Sequence, residues 1–221
     1  MFTLSTLEMQ MFKTRKYPKP KEKTYHHGDL RQSLLRAALE LLEQDDAAAL
    51  TLREVARRAG VSHTAPYRHF ADKQSLLMAV AEEGFNALRA DMEARMCDHS
   101  DPLRRLQESG IAYVLFAVSH PAHYRIMFGR AFAAKEISAA LHNAGGAAFL
   151  VLLHTIRQGH EANMLRAGDP FDQAIAAWSA VHGLAMLSIN GQLQSCGVDS
   201  ANMELLATKI ANILQVGLKR F

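Results

Sequence analysis

His63, Thr64 and Ala65 stand together within TLREVARRAGVSHTAPYRHF, residues 51–70. Their types suit one chemistry. A short imidazole and a hydroxyl can hydrogen-bond base edges in a DNA groove. The alanine is small enough to admit the backbone, and its methyl can touch that of thymine. Such side chains read bases only when a rigid element carries them into a groove. Leu52, Val55, Ala56 and Ala59 recur at i, i+3, i+4, i+7 and predict one buried helix face. Thr51 and Glu54 have capping-box spacing, with the hydroxyl on the amide of residue 54 and the carboxylate reaching back to the amide of residue 51. Gly60 follows the last apolar position, where left-handed backbone costs least. Val61 tucks under the turn, and Ser62 is a natural N-cap for a short second helix. A helix, a turn of about four residues and a second helix make a helix-turn-helix, whose second helix enters the major groove. A buried helical hairpin in any all-α protein shares this pattern, and these residues alone leave it open.

The flanking chain supplies the brace. Leu30, Leu34, Ala37, Ala38, Leu41 and Leu42 form a helical stripe over Gly28 to Glu43, with Arg31 and Arg36 on its outer side. Asp72 is an N-cap for a long helix from Lys73 to about Arg95, on which Leu76, Val80, Gly84, Leu88 and Met92 repeat every four residues.

The run EVARRAGVSHTAPYRHFADKQSLL resembles the N-terminal domain of the TetR family of bacterial transcriptional regulators over roughly residues 28 to 88. The places that match are Thr51, Glu54, Val55, Ala56, Ala59, Gly60, Val61, Ser62, Tyr67, His69, Phe70, Lys73 and Leu76. The resemblance implies that Tyr67 and Lys73 contact phosphate and that Phe70 is core. The DNA-contacting set expected on this basis is Thr51, Arg53, Ser62, His63, Thr64, Ala65, Tyr67, Arg68, His69 and Lys73. The chain departs from the family pattern twice. Asp45-Asp46-Ala47 precedes the first motif helix where a glycine is frequent. Pro66 replaces a branched apolar residue, at the cost of at most one early helical hydrogen bond.

The remainder reads as helix throughout. Asp101-Pro102 and Asp169-Pro170 each pair an N-cap with proline at the first helical position. They open helices to about Ser119 and Asn190. His120-Pro121 breaks the first, and a short helix with Tyr124, Met127 and Phe128 follows. Ile137 to about His160 is a longer helix weakened by Gly145-Gly146. Ser200 or Asp199 starts the last, with Leu206, Ile210, Ile213 and Gly217 on one side. No segment alternates with period two, so no sheet is expected.

Trp178, His182 and Gly183 form W-x-x-x-H-G and resemble the regulatory domain of the TetR subgroup named for those three residues. In that resemblance the C-terminal domain binds a small effector, and its last two helices pair with their twins as a four-helix bundle. Candidates for lining an effector pocket are Phe116, Tyr124, Met127, Phe128, Phe149, Leu153, Trp178, His182 and Met186. For each of them an ordinary core position is the alternative.

Composition bounds the rest. The chain has 221 residues and a formal net charge of +3. Residues 1–80 carry 13 Lys/Arg against 9 Asp/Glu, whereas the remainder carries 12 against 13. The basic excess therefore sits beside the helix-turn-helix, as phosphate contact requires. Residues 13–27 hold six Lys/Arg with Pro18 and Pro20. They suit either a solvated tail or an arm lying along the DNA. No uncharged apolar run is long enough for a bilayer span, and two cysteines make no disulfide framework. A reducing bacterial cytoplasm, on the nucleoid, is the expected location. His120 and His123 lie at i, i+3 without a third ligand at matching spacing, so no metal is expected. No cofactor is expected either. An enzyme is disfavoured because no nucleophile-base set, carboxylate pair or phosphate loop is present.

The expectation is an all-α protein of about nine helices in two domains. A flexible basic arm (1–27) leads into a three-helix helix-turn-helix domain (28–88). A helical ligand-binding and dimerisation domain (89–221) follows. The expected function is that of a homodimeric repressor on double-stranded DNA at a palindromic operator, released by a small-molecule effector. An architectural or cell-division factor on the same fold, without a ligand, is the rival.

Overall fold

The computed structural model describes residues 27–44, 47–129, 137–198 and 202–220. The basic arm, the Asp45-Asp46 loop and the start of the last helix at Asp199 or Ser200 lie outside them. Among the described residues eight α-helices run in order. They are α1 (His27–Leu42), α2 (Leu52–Arg58), α3 (Lys73–Met96), α4 (Pro102–Ser119), α5 (Pro121–Phe128), α6 (Ala139–Glu161), α7 (Pro170–Ile189) and α8 (Met203–Leu218). Short 3-10 turns occur at Pro66–Arg68 and Gln194–Cys196. One isolated antiparallel bridge joins Leu165 to Lys219.

Local chemistry sets most helix starts. The Asp72 carboxylate accepts from the Ser75 amide at 2.7 Å and the Ser75 hydroxyl accepts from the Asp72 amide at 3.1 Å, a complete capping box. Asp101 and Asp169 accept from the amides of Leu103 and Phe171. Each frees its helix of one orphan donor and places proline where no amide is needed. Gly145-Gly146 does not break α6, because the pair is carried within a long packed helix.

α3 is the spine. Its N-terminal half closes the core of α1 and α2 through Leu76, Leu77 and Val80, and its later turns pack on α4, α5 and α6. Residue 88, the expected domain boundary, therefore lies inside a continuous helix and within a continuous core. α4 in turn packs on α7 and α8. α6 is long and apolar enough to cross a bilayer by length and composition, but it lies against α3, α4 and α7.

The inner stripe of α8 differs from the expected one. Met203, Ala207, Ala211 and Leu218 are buried, with Leu206 and Ile210 partly so. Ile213 is 68% exposed and Gly217 also faces outward. α4 and α7 select the side of α8 that carries Ala207 and Ala211, which leaves Leu205, Ile213 and Val216 outside.

Candidate DNA interface and interior cavity

Thr51 caps α2 through its hydroxyl, which accepts from the Glu54 amide at 3.2 Å. The Glu54 carboxylate pairs with Arg57 instead of returning to Thr51, and that hydrogen bond holds its carboxyl below the usual range. At the other end Gly60 takes φ +69°. Its amide bonds to Arg57 O and the Val61 amide reaches Ala56 O, the double closure of a Schellman turn.

The second element is shorter than expected. Pro66 offers no amide, so the segment closes on every third residue, with Ala65 N on Ser62 O at 3.0 Å and Arg68 N on Ala65 O at 3.2 Å. What remains regular is a single 3-10 turn, Pro66–Arg68. Ser62 is not its N-cap; its hydroxyl lies 3.3 Å from that of Thr64.

The expected DNA-contacting residues divide by exposure. Thr51, Arg53, Ser62, His63, Thr64, Tyr67 and Arg68 are exposed, while Ala65, His69 and Lys73 are half-buried. Tyr67 is 55% exposed, on a turn otherwise anchored by buried Pro66 and Phe70. His69 turns inward, its Nε2 shielded and without a partner. Lys73 Nζ donates to Ala48 O at 2.7 Å, tying the α1–α2 connection to the start of α3. Arg31, expected to face outward, lies over the Phe70 ring at 5.7 Å.

Between α3, α4, α5, α6, α7 and α8 lies a cavity of about 240 Å³. Three of the nine expected lining residues border it, namely Phe128, Phe149 and Trp178. The other six do not. Phe116 is buried and stacks on His120 at 4.9 Å. Met127 fills the space left by Gly84. Leu153 is displaced by its neighbour Leu152, which faces the cavity about 100° round the helix. Met186 packs elsewhere against the core. Tyr124 and His182 stand one layer behind, hydrogen-bonded to the lining residue Tyr113. Half of the residues missed lie on α3 and α4, among them Phe85, Met92 and Tyr113. The polar tip of Tyr113 within the apolar run IAYVLF was the available signal.

A polar cluster closes one side. Trp178 Nε1 donates to Tyr113 Oη at 3.0 Å, and Tyr124 Oη donates to the same oxygen at 3.0 Å. His182 Nδ1 lies 2.9 Å from Tyr113 Oη and 2.7 Å from Tyr124 Oη. Burial pushes the Tyr113 hydroxyl up to about 12 and raises that of Tyr124 as well. Burial lowers His182. The cluster is therefore neutral near pH 7.

Two joints connect the cavity to α3. Short helix α5 carries Phe128 toward the cavity and Met127 and His123 toward α3. His123 Nε2 lies 3.3 Å from Glu83 Oε1, and Gly84 admits Met127. The Glu83 carboxyl is held below its ordinary range, first by His123 and then by Arg31 and Arg36 of α1. Farther along, buried Glu108 of α4 pairs with Arg95 of α3 at 2.6 Å and with Arg104 at 2.7 Å. Arg95 also reaches Glu204 of α8 at 2.6 Å. Among the described residues no three His, Cys, Asp or Glu side chains gather as a metal site.

Known proteins share both halves of this arrangement. The family of bacterial regulatory proteins of tetR type matches residues 34–80, and the tetracyclin repressor-like C-terminal domain matches residues 106–211. A Rhodococcus sp. RHA1 protein of unknown function is 34% identical and superposes with a TM-score of 0.79, covering 90% of this chain and 100% of its own. A bacterial regulatory protein of the tetR family from Rhodococcus RHA1 shares the fold at 20% identity and a TM-score of 0.68, over 86% of this chain and 96% of that one. The nucleoid occlusion factor SlmA of Marinobacter nauticus is 29% identical over 138 residues, 62% of this chain and 70% of that protein.

Proposed function

This chain belongs to the TetR family of bacterial regulatory proteins, and from that membership we propose a homodimeric repressor that leaves a palindromic operator when a small molecule fills its cavity. It is a DNA-binding transcription regulator of that family. The observation that carries the finer reading is the position of α3. One helix packs beneath the helix-turn-helix and also borders the cavity. An occupant that prefers one tilt of α3 shifts the DNA-binding equilibrium by its difference in affinity for the two tilts, and by no more.

The dimer reading rests on α7 and α8. Their outer faces expose Ile175, Leu187, Leu205, Ile213 and Val216, five aliphatic side chains left exposed among the described residues. Gly183 and Gly217 lie among them with open space where a Cβ would stand, which permits close helix approach. A two-fold pair through these helices would set two reading segments about 34–36 Å apart, or a multiple of that, on the nucleoid. Placement of Trp178, His182 and Gly183 in the subgroup named for them belongs to the same proposal.

Within the interface, His63, Thr64 and Ala65 read bases, while Tyr67 and Lys73 hold phosphate with Thr51, Arg53, Ser62, Arg68 and His69 around them. Genomic fragments selected by the purified protein and then footprinted test this. One protected palindrome beside a promoter supports the repressor. Many dispersed sites support the second reading, an architectural factor, which the likeness to a nucleoid occlusion factor favours. Tyr67→Phe and Lys73→Ala are expected to weaken binding to all sequences, and Lys73→Ala, which removes a positive charge, to flatten its salt dependence by about one phosphate. A salt slope equal to wild type in Lys73→Ala would remove Lys73 from the phosphate-contacting set, and unchanged affinity in Tyr67→Phe would remove Tyr67.

A further inference from the structure

Resting on the reading that the cavity holds the effector, we propose that its occupant is a compact, uncharged, mainly apolar molecule with one acceptor oxygen that meets Tyr113. Size comes first. The cavity of about 240 Å³ exceeds the ~150 Å³ of an apolar cavity that takes benzene, so a fused or bridged ring system fits it. The walls come next. Phe85, Phe128, Phe149 and Trp178 supply aromatic faces and Leu88 and Met92 the aliphatic floor. Among the described residues that line it none is a lysine, arginine, histidine, aspartate or glutamate. A carboxylate or ammonium group would be buried there without a countercharge, at a cost that apolar contact does not recover.

The oxygen follows from counting protons. Tyr113 Oη receives hydrogen bonds from Trp178 and Tyr124. His182 Nδ1 touches both tyrosine hydroxyls, yet one ring nitrogen carries either one proton or one lone pair and satisfies only one of them. The shorter contact, 2.7 Å, pairs Nδ1 with Tyr124, and because the Tyr124 proton goes to Tyr113, Nδ1 donates there and the Tyr113 proton is left for an acceptor in the cavity; the opposite tautomer would take that proton on Nδ1. A ketone, ether or alcohol oxygen supplies it.

The bridged bicyclic probes camphane, camphor and bornylamine share one skeleton and carry no group, a ketone and an ammonium respectively. Trp178 is the single tryptophan in the chain, so intrinsic emission reports occupancy of the full-length protein without DNA. Camphor is expected to shift that emission and raise Tm, binding roughly 3- to 10-fold more tightly than camphane. Bornylamine is expected to bind at least about 100-fold more weakly than camphor. Tyr113→Phe should abolish the preference for camphor and keep the affinity for camphane, which also certifies its fold. If that variant does not fold, the wild-type ratio of camphor to camphane decides. Bornylamine binding as tightly as camphor, equal losses for camphor and camphane in Tyr113→Phe, or no response to any probe overturns the proposal. Camphor bound without any change in DNA affinity upholds the ligand class and overturns effector release. DNA release by bornylamine with Trp178 unmoved does the reverse.

Discussion

Gly84→Ala is expected to have opposite effects in two backgrounds. Gly84 lies in mid-helix on α3, where alanine gains about 1 kcal/mol of helix propensity. The new Cβ would meet Met127 Sδ at 2.6 Å, Met127 Cγ at 3.0 Å and His123 Cδ2 at 3.2 Å. Displacing a well-packed neighbour costs about 1–3 kcal/mol, so in the wild-type chain the change is neutral or destabilising by up to ~2 kcal/mol. Met127→Ala removes both of the closest atoms. Gly84→Ala then keeps its helical gain and buries a methyl worth about 0.8 kcal/mol, and it should stabilise by roughly 1–2 kcal/mol. The coupling between the two positions is therefore between about 1 and 4 kcal/mol. Urea unfolding of the four chains of the cycle, at one protein concentration, measures it. Additivity within about 0.5 kcal/mol would mean that α5 does not bear on α3 at this joint. Measured in parallel, DNA affinity shows whether prising α5 from α3 reaches the helix-turn-helix.

Glu108→Ala should cost about 2–3 kcal/mol in urea unfolding. This is below the range for a fully buried pair, because Arg95 and Arg104 remain part-exposed and regain water. A loss under about 1 kcal/mol would mean that the pairs do not hold α3 to α4. The folded His182 titrates below its ordinary value of 6.5, so the unfolded chain binds more protons on acidification, and stability falls as pH drops through 6.5 toward the folded value. His182→Gln should give a flatter stability profile in that window, and an unchanged slope would contradict the assignment. Ile213→Glu, on the most exposed aliphatic of α8, is expected to yield monomers in sedimentation and to weaken operator binding. A dimer of unchanged strength would relocate the interface.

Helix positions were legible because their signals are local. Asp72, Asp101-Pro102 and Asp169-Pro170 cap in the structure as predicted, and Thr51 makes the hydroxyl half of its expected capping box. The core of the helix-turn-helix follows equally from the repeat of Leu52, Val55 and Ala56. Pro66 was legible as a lost amide; its effect on the whole second helix was not, since that element is too short to absorb the loss. The cavity was the least legible feature. Phe116 and Phe128 look alike in sequence, yet one stacks on His120 and the other faces the void, because the rotation of α4 and α5 is set by all the helices that pack on them. Likewise Leu152 and Leu153 exchange roles on a choice that only tertiary packing makes. In the Glu108 network only the pair with Arg104, at i, i+4, is legible from spacing; the links through Arg95 to α3 and Glu204 join separate helices, and no spacing announces them.

Closing the reading segment on every third residue also changes its dimensions. An α-helix rises about 1.5 Å per residue and a 3-10 turn about 2.0 Å, so the two steps of the regular turn Pro66–Arg68 span roughly 4 Å where an α-helix would span about 3 Å. Two threefold turns from Ser62 also bring round exposed Arg68, where an α-helix would bring round His69 with its shielded Nε2. One missing amide proton thus brings exposed Arg68, and not His69, round beneath Ser62.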